Sequence, residues 1–533
     1  MKSLRFTAVV MFFVILLGGC SPRNHAEITT REIEAHLRFL SDDLLEGRAV
    51  GSRGEALAAL YQETQFKLSG VEPFIEEGYG QPFTLKGSLP DQQATLEILS
   101  SRTKTAYPYR EAFVATSYRQ NAPEVVEAEL VYGGYLIQAP ERGWDDIKGA
   151  DLRGKVLLCE INEPGNTEGG IFDGEDMTYY GRWIYKFEKA AALGAAGVLI
   201  IHNTKGAAYG WEVVQNSWAG ESFFLPDRPQ TLLFQGWVSG ETAGSILKEA
   251  GQDHRLLLAR AEGADFKPLP LGLKTRLRQR PSFRTVEVRN IVGQVLPRNK
   301  KDRDRAVILS AHYDHLGRDE QRLGDQIYNG ALDNCSASAS LLALARYYAQ
   351  HPEELRVRLI LAAVTAEEEG LPGSDYLARH LPLEKSSVLA NLNLEMTNVW
   401  GETEDVFAIG ARHSDLDDVC RKAAENLGLR YIPEREGNLG YFYRSDQLSF
   451  ARAGIPAVWL HEGLVSRGAD KDLIKRKTED YKKNRYHKVA DHFEPDWDLR
   501  GTVQICRWAQ EIIRLLGEQK SLPQFRPTSS FKR

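Results

Sequence analysis

His312 follows an apolar run at 306–311, and Asp314 stands two residues beyond it. A carboxylate at that spacing can fix an imidazole tautomer and raise its basicity, which suits a histidine that ligates a metal. Asp333 lies in Gly330-Ala331-Leu332-Asp333-Asn334, directly before an Ala/Leu-rich stretch. It reads equally as a helix cap and as a ligand. Glu367, Glu368 and Glu369 follow the apolar run 359–364 in the segment VTAEEEGLPGS. Adjacent carboxylates repel, and the cost grows with burial. A solvated helix start tolerates them, whereas a site holding cations requires them. Glu367 and Glu368 are neighbours on a turn, so they point in different directions and suit different tasks. Glu369, before Gly370, reads as the solvated member. Glu395 ends the apolar strand 390–394, where a carboxylate needs compensation. His487, after Tyr486 and before Asp491, completes the set. Imidazole nitrogen and carboxylate oxygen together make a donor set for zinc.

These residues need a scaffold that gathers distant segments. Strand-like runs at 289–296, 306–311, 357–364, 388–394, 406–409 and 455–460 alternate with Ala- and Leu-rich helices, notably at 337–349 and 503–516. The rhythm predicts an α/β fold, a mixed, largely parallel sheet covered by helices on both faces. Ligands of such sheets gather beyond the carboxyl ends of the strands, where His312, Glu367, Glu368 and Glu395 fall. Upstream, Thr29 and Glu32 form a capping box between Ile28 and Ile33, predicting a helix to about Leu40. Ser52 and Glu55 repeat the device for a helix ending at Gly70. Residues 41–48 between them read as loop. From 127 to 264 short apolar runs alternate with Gly-rich turns, with strands at 155–159 and 197–202, a helix at 188–193, and no cluster of ligand residues. Residues 265–284 read as a polar connector, and those after Lys520 as a mobile tail. The expected organisation is 20–126 as the N-terminal part of the main domain, 127–264 as an insert and 265–533 as the main catalytic part.

The first 19 residues stand apart. Lys2 and Arg5 precede an apolar run at 9–17 that is short for a membrane span, and Leu17-Gly18-Gly19-Cys20 follows. A small-residue site before a cysteine resembles a bacterial lipoprotein cleavage box, which would leave Cys20 as the lipid-bearing N-terminus. Ser21 in the next position favours the outer membrane, by resemblance to lipoprotein sorting in Gram-negative bacteria. The formal charge of the 533-residue chain is -6. With no basic excess, nucleic acid is not an expected partner. Cys159, Cys335, Cys420 and Cys506 form no CxxC pair, so neither a disulfide framework nor a thiolate zinc site is indicated.

AHYDH, ALDNCSAS, AEEEGLPGS, NLNLEM and YHKVAD, in this order, resemble the five metal-site motifs of the co-catalytic di-zinc aminopeptidase family. That family includes secreted bacterial aminopeptidases and is related to glutamate carboxypeptidase and the transferrin receptor ectodomain. Lys155-Val156-Leu157-Leu158, Tyr185-Lys186-Phe187-Glu188-Lys189-Ala190 and 194–202 resemble its inserted protease-associated domain, a smaller β-rich α/β unit. Residues 39–48 resemble its N-terminal segment. The resemblance implies two zinc ions per chain, with His312 and Glu395 on one, Glu368 and His487 on the other, and Asp333 bridging. It also implies that Asp314 orients His312, that Glu367 is the general base, and that Tyr486 steadies the tetrahedral intermediate. Glu395 departs from the more usual Asp at its position, Cys335 stands where a small residue is usual, and Ala337 stands where Gly is common.

The implied activity is that of a zinc-dependent aminopeptidase of the cell envelope, lipid-anchored at the outer membrane facing the periplasm, with peptides as substrates. A glutamate-carboxypeptidase-like enzyme would instead need cations near the metals to grip a substrate carboxylate. Arg435 and Arg444, flanking Gly437-Asn438-Leu439-Gly440, could provide them. A non-catalytic envelope binding protein would be expected to have lost ligands. A glutaminyl cyclase-like transferase would lack the insert. His461-Glu462 reads as a pocket-wall pair, and Ser445-Asp446 as packing near the site.

Overall fold

The computed structural model describes residues 27–533 except 77, 166–169, 208, 229 and 230. The expected signal segment and Cys20 lie outside the described residues. No helix among the described residues is long and apolar enough to cross a membrane.

A ten-stranded sheet carries the main domain. Its centre is four parallel strands, Arg358–Val364, Ala306–His312, Val388–Leu394 and Ala457–Glu462, in that spatial order. Antiparallel strands flank them: Ser282–Val295 and Gly80–Leu89 on one side, Asp405–Ile409 on the other. The central strands are buried along nearly their whole length, which is why they read as unbroken apolar runs. Alternate side chains serve two cores. Val307, Leu309 and Ala311 pack with the helices Thr30–Leu40, Arg53–Ser69, Ser336–Gln350 and Arg500–Glu518. Ala306 and Ile308 face the helices Pro372–Arg379 and Gln447–Arg452.

The helix caps form only in part as boxes. Thr29 Oγ1 accepts the Glu32 amide and Ser52 Oγ accepts the Glu55 amide. Glu32 turns its carboxylate to Arg346 instead, and Glu55 accepts the Gly51 amide and the Thr365 hydroxyl. Gly70 closes the second helix in a left-handed conformation, φ 82°.

A second, eight-stranded sheet has its own cores on both faces. Val125–Tyr132, Val156–Glu160, Gly197–Ile201 and Phe234–Val238 run parallel at its centre. The expected insert bounds, 127–264, are narrower than this sheet, which also takes in Thr95–Leu99, Lys104–Tyr107, Phe113–Thr116 and Leu269–Arg278. The polar connector expected at 265–284 is therefore largely strand. Leu271, Leu273, Thr275 and Leu277 are buried while Lys274, Arg276 and Arg278 point outward. The charges that suggested a linker are the solvent face of an alternating strand.

Two further expectations give way. Residues 41–48 are not an open loop: Asp43–Arg48 coils tightly and Arg48 is 1 % exposed. The segment after Lys520 is packed, because Phe531 is buried against Phe442 and His413, and Arg533 reaches the carbonyls of Val388 and Pro523. All four described cysteines are free and buried, and burial pushes the Cys159 thiol up to about 12.

Candidate metal centre

Strand register assembles the first half of the site. Ser310 pairs with Asn393 across two parallel strands. Two residues on, His312 and Glu395 therefore emerge side by side, with His312 Nε2 3.1 Å from Glu395 Oε1. The Glu395 carboxylate is held from behind by the Ser445 hydroxyl at 2.6 Å. Asn334 bridges the strand end, donating to the Leu394 carbonyl and accepting the Met396 amide.

Asp333 arrives from the turn before the helix Ser336–Gln350. Gly330 makes that turn with φ 55°, and a Cβ there would sit 2.2 Å from the Asp333 carbonyl and 2.5 Å from the His315 ring. Only glycine fits. Asp491 fixes the turn, accepting the Leu332 and Asp333 amides on its carboxylate and the Ala331 amide on its carbonyl. The Tyr481 hydroxyl also donates to that carboxylate. Asp333 is thus presented between two histidines, with Oδ1 3.5 Å from His312 Nε2 and Oδ2 3.2 Å from His487 Nε2. Glu368 Oε2 lies 3.3 Å from the same His487 nitrogen.

Asp314 stands beside His312, and its carboxylate faces more than that ring. The nearest polar partner of His312 Nδ1 is the Asp314 backbone carbonyl at 3.2 Å, with the carboxylate at 3.6 Å. The carboxylate accepts the amides of Glu367 and Glu368, at 3.1 and 3.3 Å. It orients the two glutamates at least as much as the histidine. Glu367 lies with His312 and Glu395 in a group whose ligand atoms are all within 4.8 Å of one another. Tyr486 stacks on the His487 ring, centroids 4.0 Å apart, and is 39 % exposed.

His315 is the residue that the sequence reading did not assign. Its Nδ1 is 2.7 Å from Glu368 Oε1, and it forms a second ligand-distance group with Asp333 and Glu368. The two histidines flanking Asp314 in AHYDH were the available signal. Glu369 is not solvated. Its carboxylate accepts the Phe223 amide at 3.1 Å, and burial pushes it up to about 8. Asp446 is fully buried, and burial pushes it up to about 7.

The electrostatics describe carboxylates short of cations. Desolvation, with Glu368, Glu395 and Asp446 nearby, holds the Glu367 proton well above the carboxylate range. Against the desolvation of burial, Glu368 and Asp333 push His487 up to about 9. His312 is raised well above the ordinary range in the same way, by Glu395 and Glu367. The donor set and its spacing fit zinc. Ligand atoms around a tetrahedral zinc, bonded at about 2.0–2.1 Å, stand about 3.3 Å apart. His312 stands 3.1 Å from Glu395 and 3.5 Å from Asp333, and His487 stands 3.2 Å from Asp333 and 3.3 Å from Glu368.

Residues 290–508 match the profile of peptidase family M28. This part of the chain is similar to that family. The M28 segment includes the centre of the large sheet and every residue of the cluster. Over 111 residues the chain is 33 % identical to a "Probable zinc metalloprotease" of Leptosphaeria maculans, 21 % of this chain and 25 % of the relative. It is 32 % identical over the same length to one of Pyrenophora tritici-repentis, covering 21 % and 22 %. The chain thus spans about a quarter of the length of these curated relatives. In fold, the whole chain is similar to the aminopeptidase from Aneurinibacillus sp. strain AM-1, with a TM-score of 0.52, 22 % identity, and 96 % and 97 % of the two chains covered.

The cluster opens into a cavity of about 850 Å³, lined by Glu367, Glu368, Asp333, Glu395, His487 and Tyr486. The pair His461-Glu462 lines its wall, with the His461 ring stacked on Phe407.

Proposed function

We propose that the chain is a two-zinc exopeptidase, an aminopeptidase that hydrolyses the N-terminal peptide bond of peptides. The carrying observation is Asp333, one carboxylate oxygen facing His312 and Glu395 and the other facing His487 and Glu368. In this reading His312, Asp333 and Glu395 would hold one ion, and Asp333, Glu368 and His487 the other, with His315 packed against Glu368. Bound zinc polarises the scissile carbonyl and makes a water acidic.

Glu367 faces the same space. Its carboxylate, grouped within 4.8 Å with His312 and Glu395, suits a general base. It takes one proton from the attacking water as the carbon–oxygen bond forms, and returns it to the amine nitrogen as the carbon–nitrogen bond breaks. In this reading the Tyr486 hydroxyl, at the cavity edge, would donate a hydrogen bond to the developing oxyanion. Carboxylates of the cluster offer a seat for a free substrate α-amine, which confines cleavage to the N-terminal bond. We further propose that the smaller domain is of the protease-associated type, and that Cys20 anchors the protein by lipid in the bacterial envelope, at the outer membrane facing the periplasm.

A glutamate-carboxypeptidase-like reading draws on one observation, Arg444 at the cavity wall, whose Nε and Nη2 have no hydrogen-bond partner among the described residues. Matched peptides with free and acetylated N-termini, given to the zinc-loaded protein, separate the readings. The aminopeptidase reading expects turnover of the free amines alone. Preferential cleavage of acetylated peptides would overturn it.

A further inference from the structure

Two arginines on the cavity wall pair with no carboxylate among the described residues. Arg182 is 6 % exposed, and its Nε is buried with no hydrogen-bond partner among the described residues. Arg444 has both Nε and Nη2 in the same condition. Burial, with Arg444 beside it, pulls Arg182 down to about 9. Both guanidiniums line one cavity, Arg182 buried and Arg444 half-buried, and no ion pair forms with either among the described residues. A buried, uncompensated charge is costly. Tyrosine faces offset part of that cost, since the Arg444 guanidinium lies 5.4 Å from the Tyr441 ring centre and 5.9 Å from that of Tyr209. Ring faces leave the N–H edges without acceptors. Arg48, which is 1 % exposed, instead donates to four carbonyls.

The pair is built in from two domains. Arg444 precedes Ser445, whose hydroxyl holds the Glu395 carboxylate, so its backbone is one residue from the metal cluster's support. Arg182 belongs to the smaller domain, just before the helix Trp183–Ala192. The Met177 amide donates to the Gly437 carbonyl, and Arg412 pairs with Asp176, locking this part of the smaller domain against the segment that leads to Arg444. Both arginines line the cavity that contains Glu367 and Glu368.

We propose that Arg182 and Arg444 form a carboxylate-binding subsite, selecting peptides that carry an acidic group close to the scissile bond. The proposal rests on the aminopeptidase reading and adds a substrate class to it. The group is the C-terminal carboxylate of a dipeptide or an acidic side chain at the first or second residue. The guanidinium fork matches a carboxylate with paired N–H donors, which a neutral amide cannot reproduce. The smaller domain then contributes a specificity determinant, and the site is incomplete without it.

Three matched pairs distinguish the sources: Leu-Leu against its C-terminal amide, Glu-Leu-amide against Gln-Leu-amide, and Leu-Glu-amide against Leu-Gln-amide. For at least one pair, kcat/KM on the zinc-loaded protein is expected to favour the acid by about ten-fold or more, as a charge-assisted contact implies. In Arg444→Gln and Arg182→Gln that ratio falls towards one, while Arg444→Lys keeps part of it. Ratios within about two-fold for all three pairs in the native protein would overturn the proposal without any variant. If no pair is cleaved, the peptidase reading fails by itself. Calorimetric binding of the same pairs to zinc-loaded Glu367→Gln then decides the subsite: tighter binding of an acid supports it, and equal binding of all pairs overturns it.

Discussion

Arg48 lies far from the chemistry in sequence, yet it pins both ligand-bearing segments. Its guanidinium donates from Nε to the Tyr313 carbonyl at 2.8 Å and from Nη1 to Leu40 and Asn329, each at 2.6 Å. Nη2 reaches Gly330 at 3.3 Å. Tyr313 follows His312, and Gly330 begins the turn that presents Asp333, so one side chain ties the N-terminal segment to both. Replacement by methionine keeps much of the volume and removes every donor. A hydrogen bond to a charged group is worth about 1.5–3 kcal/mol, and a stranded buried acceptor costs about 1–3 kcal/mol. Water can enter to satisfy part of the set, so the total falls short of the sum. Arg48→Met is expected to destabilise the protein by about 4 kcal/mol, in the range seen when a buried charge network is broken. It should also lower zinc content, because the two ligand segments lose their common anchor. Arg48→Lys, a point charge without the planar fork, should recover less than half of the loss. Urea unfolding midpoints and zinc per chain measure both effects. If Arg48→Met unfolds within about 1 kcal/mol of the parent, the ordinary range of tolerated substitutions, and retains its zinc, the anchoring argument is wrong.

Other perturbations separate the parts of the site. Asp333→Ala removes the carboxylate shared by both halves, so zinc should be lost from both positions, whereas Glu395→Ala should empty one; elemental analysis after dialysis distinguishes them. His413, packed between Phe442 and Phe531, is pulled down to about 3 by burial, with Arg412 and Arg142 adding to it. Below its unperturbed value of 6.5 the unfolded chain binds a proton there that the folded chain refuses. Stability should therefore fall as pH drops from 6.5 towards 3, by about 2 kcal/mol at pH 5 from this group alone. His413→Phe should keep the ring packing and flatten that part of the unfolding-versus-pH curve. Asp491→Ala strips the acceptor from two amides of the Asp333 turn. It should weaken zinc binding by about ten-fold or more, as loss of a residue supporting a metal ligand does.

The central sheet was legible because its strands are buried on both faces and so read as apolar runs of strand length. The ligand set was legible because its carboxylates and histidines close such runs. His315 went unassigned because one AHYDH segment offers two imidazoles, and only the chain's path decides which meets Glu368. Glu369 looked solvated from its place before Gly370, yet Phe223, a strand residue 146 positions away, brings it an amide. The strand Leu269–Arg278 was masked by its charged outer face. Residues 41–48 and the C-terminal tail carry polar composition but are held by contacts with remote carbonyls and aromatic rings, which no local pattern reveals.

Glu367 is the carboxylate beside the ligand set that is assigned chemistry and not coordination. Glu367→Gln keeps the shape and removes the base. Zinc stoichiometry and turnover of a free-amine peptide, measured on the same preparation, should show unchanged metal content and a rate lower by about a hundred-fold or more. A variant that keeps its zinc and still turns over at close to the parent rate would contradict the mechanism.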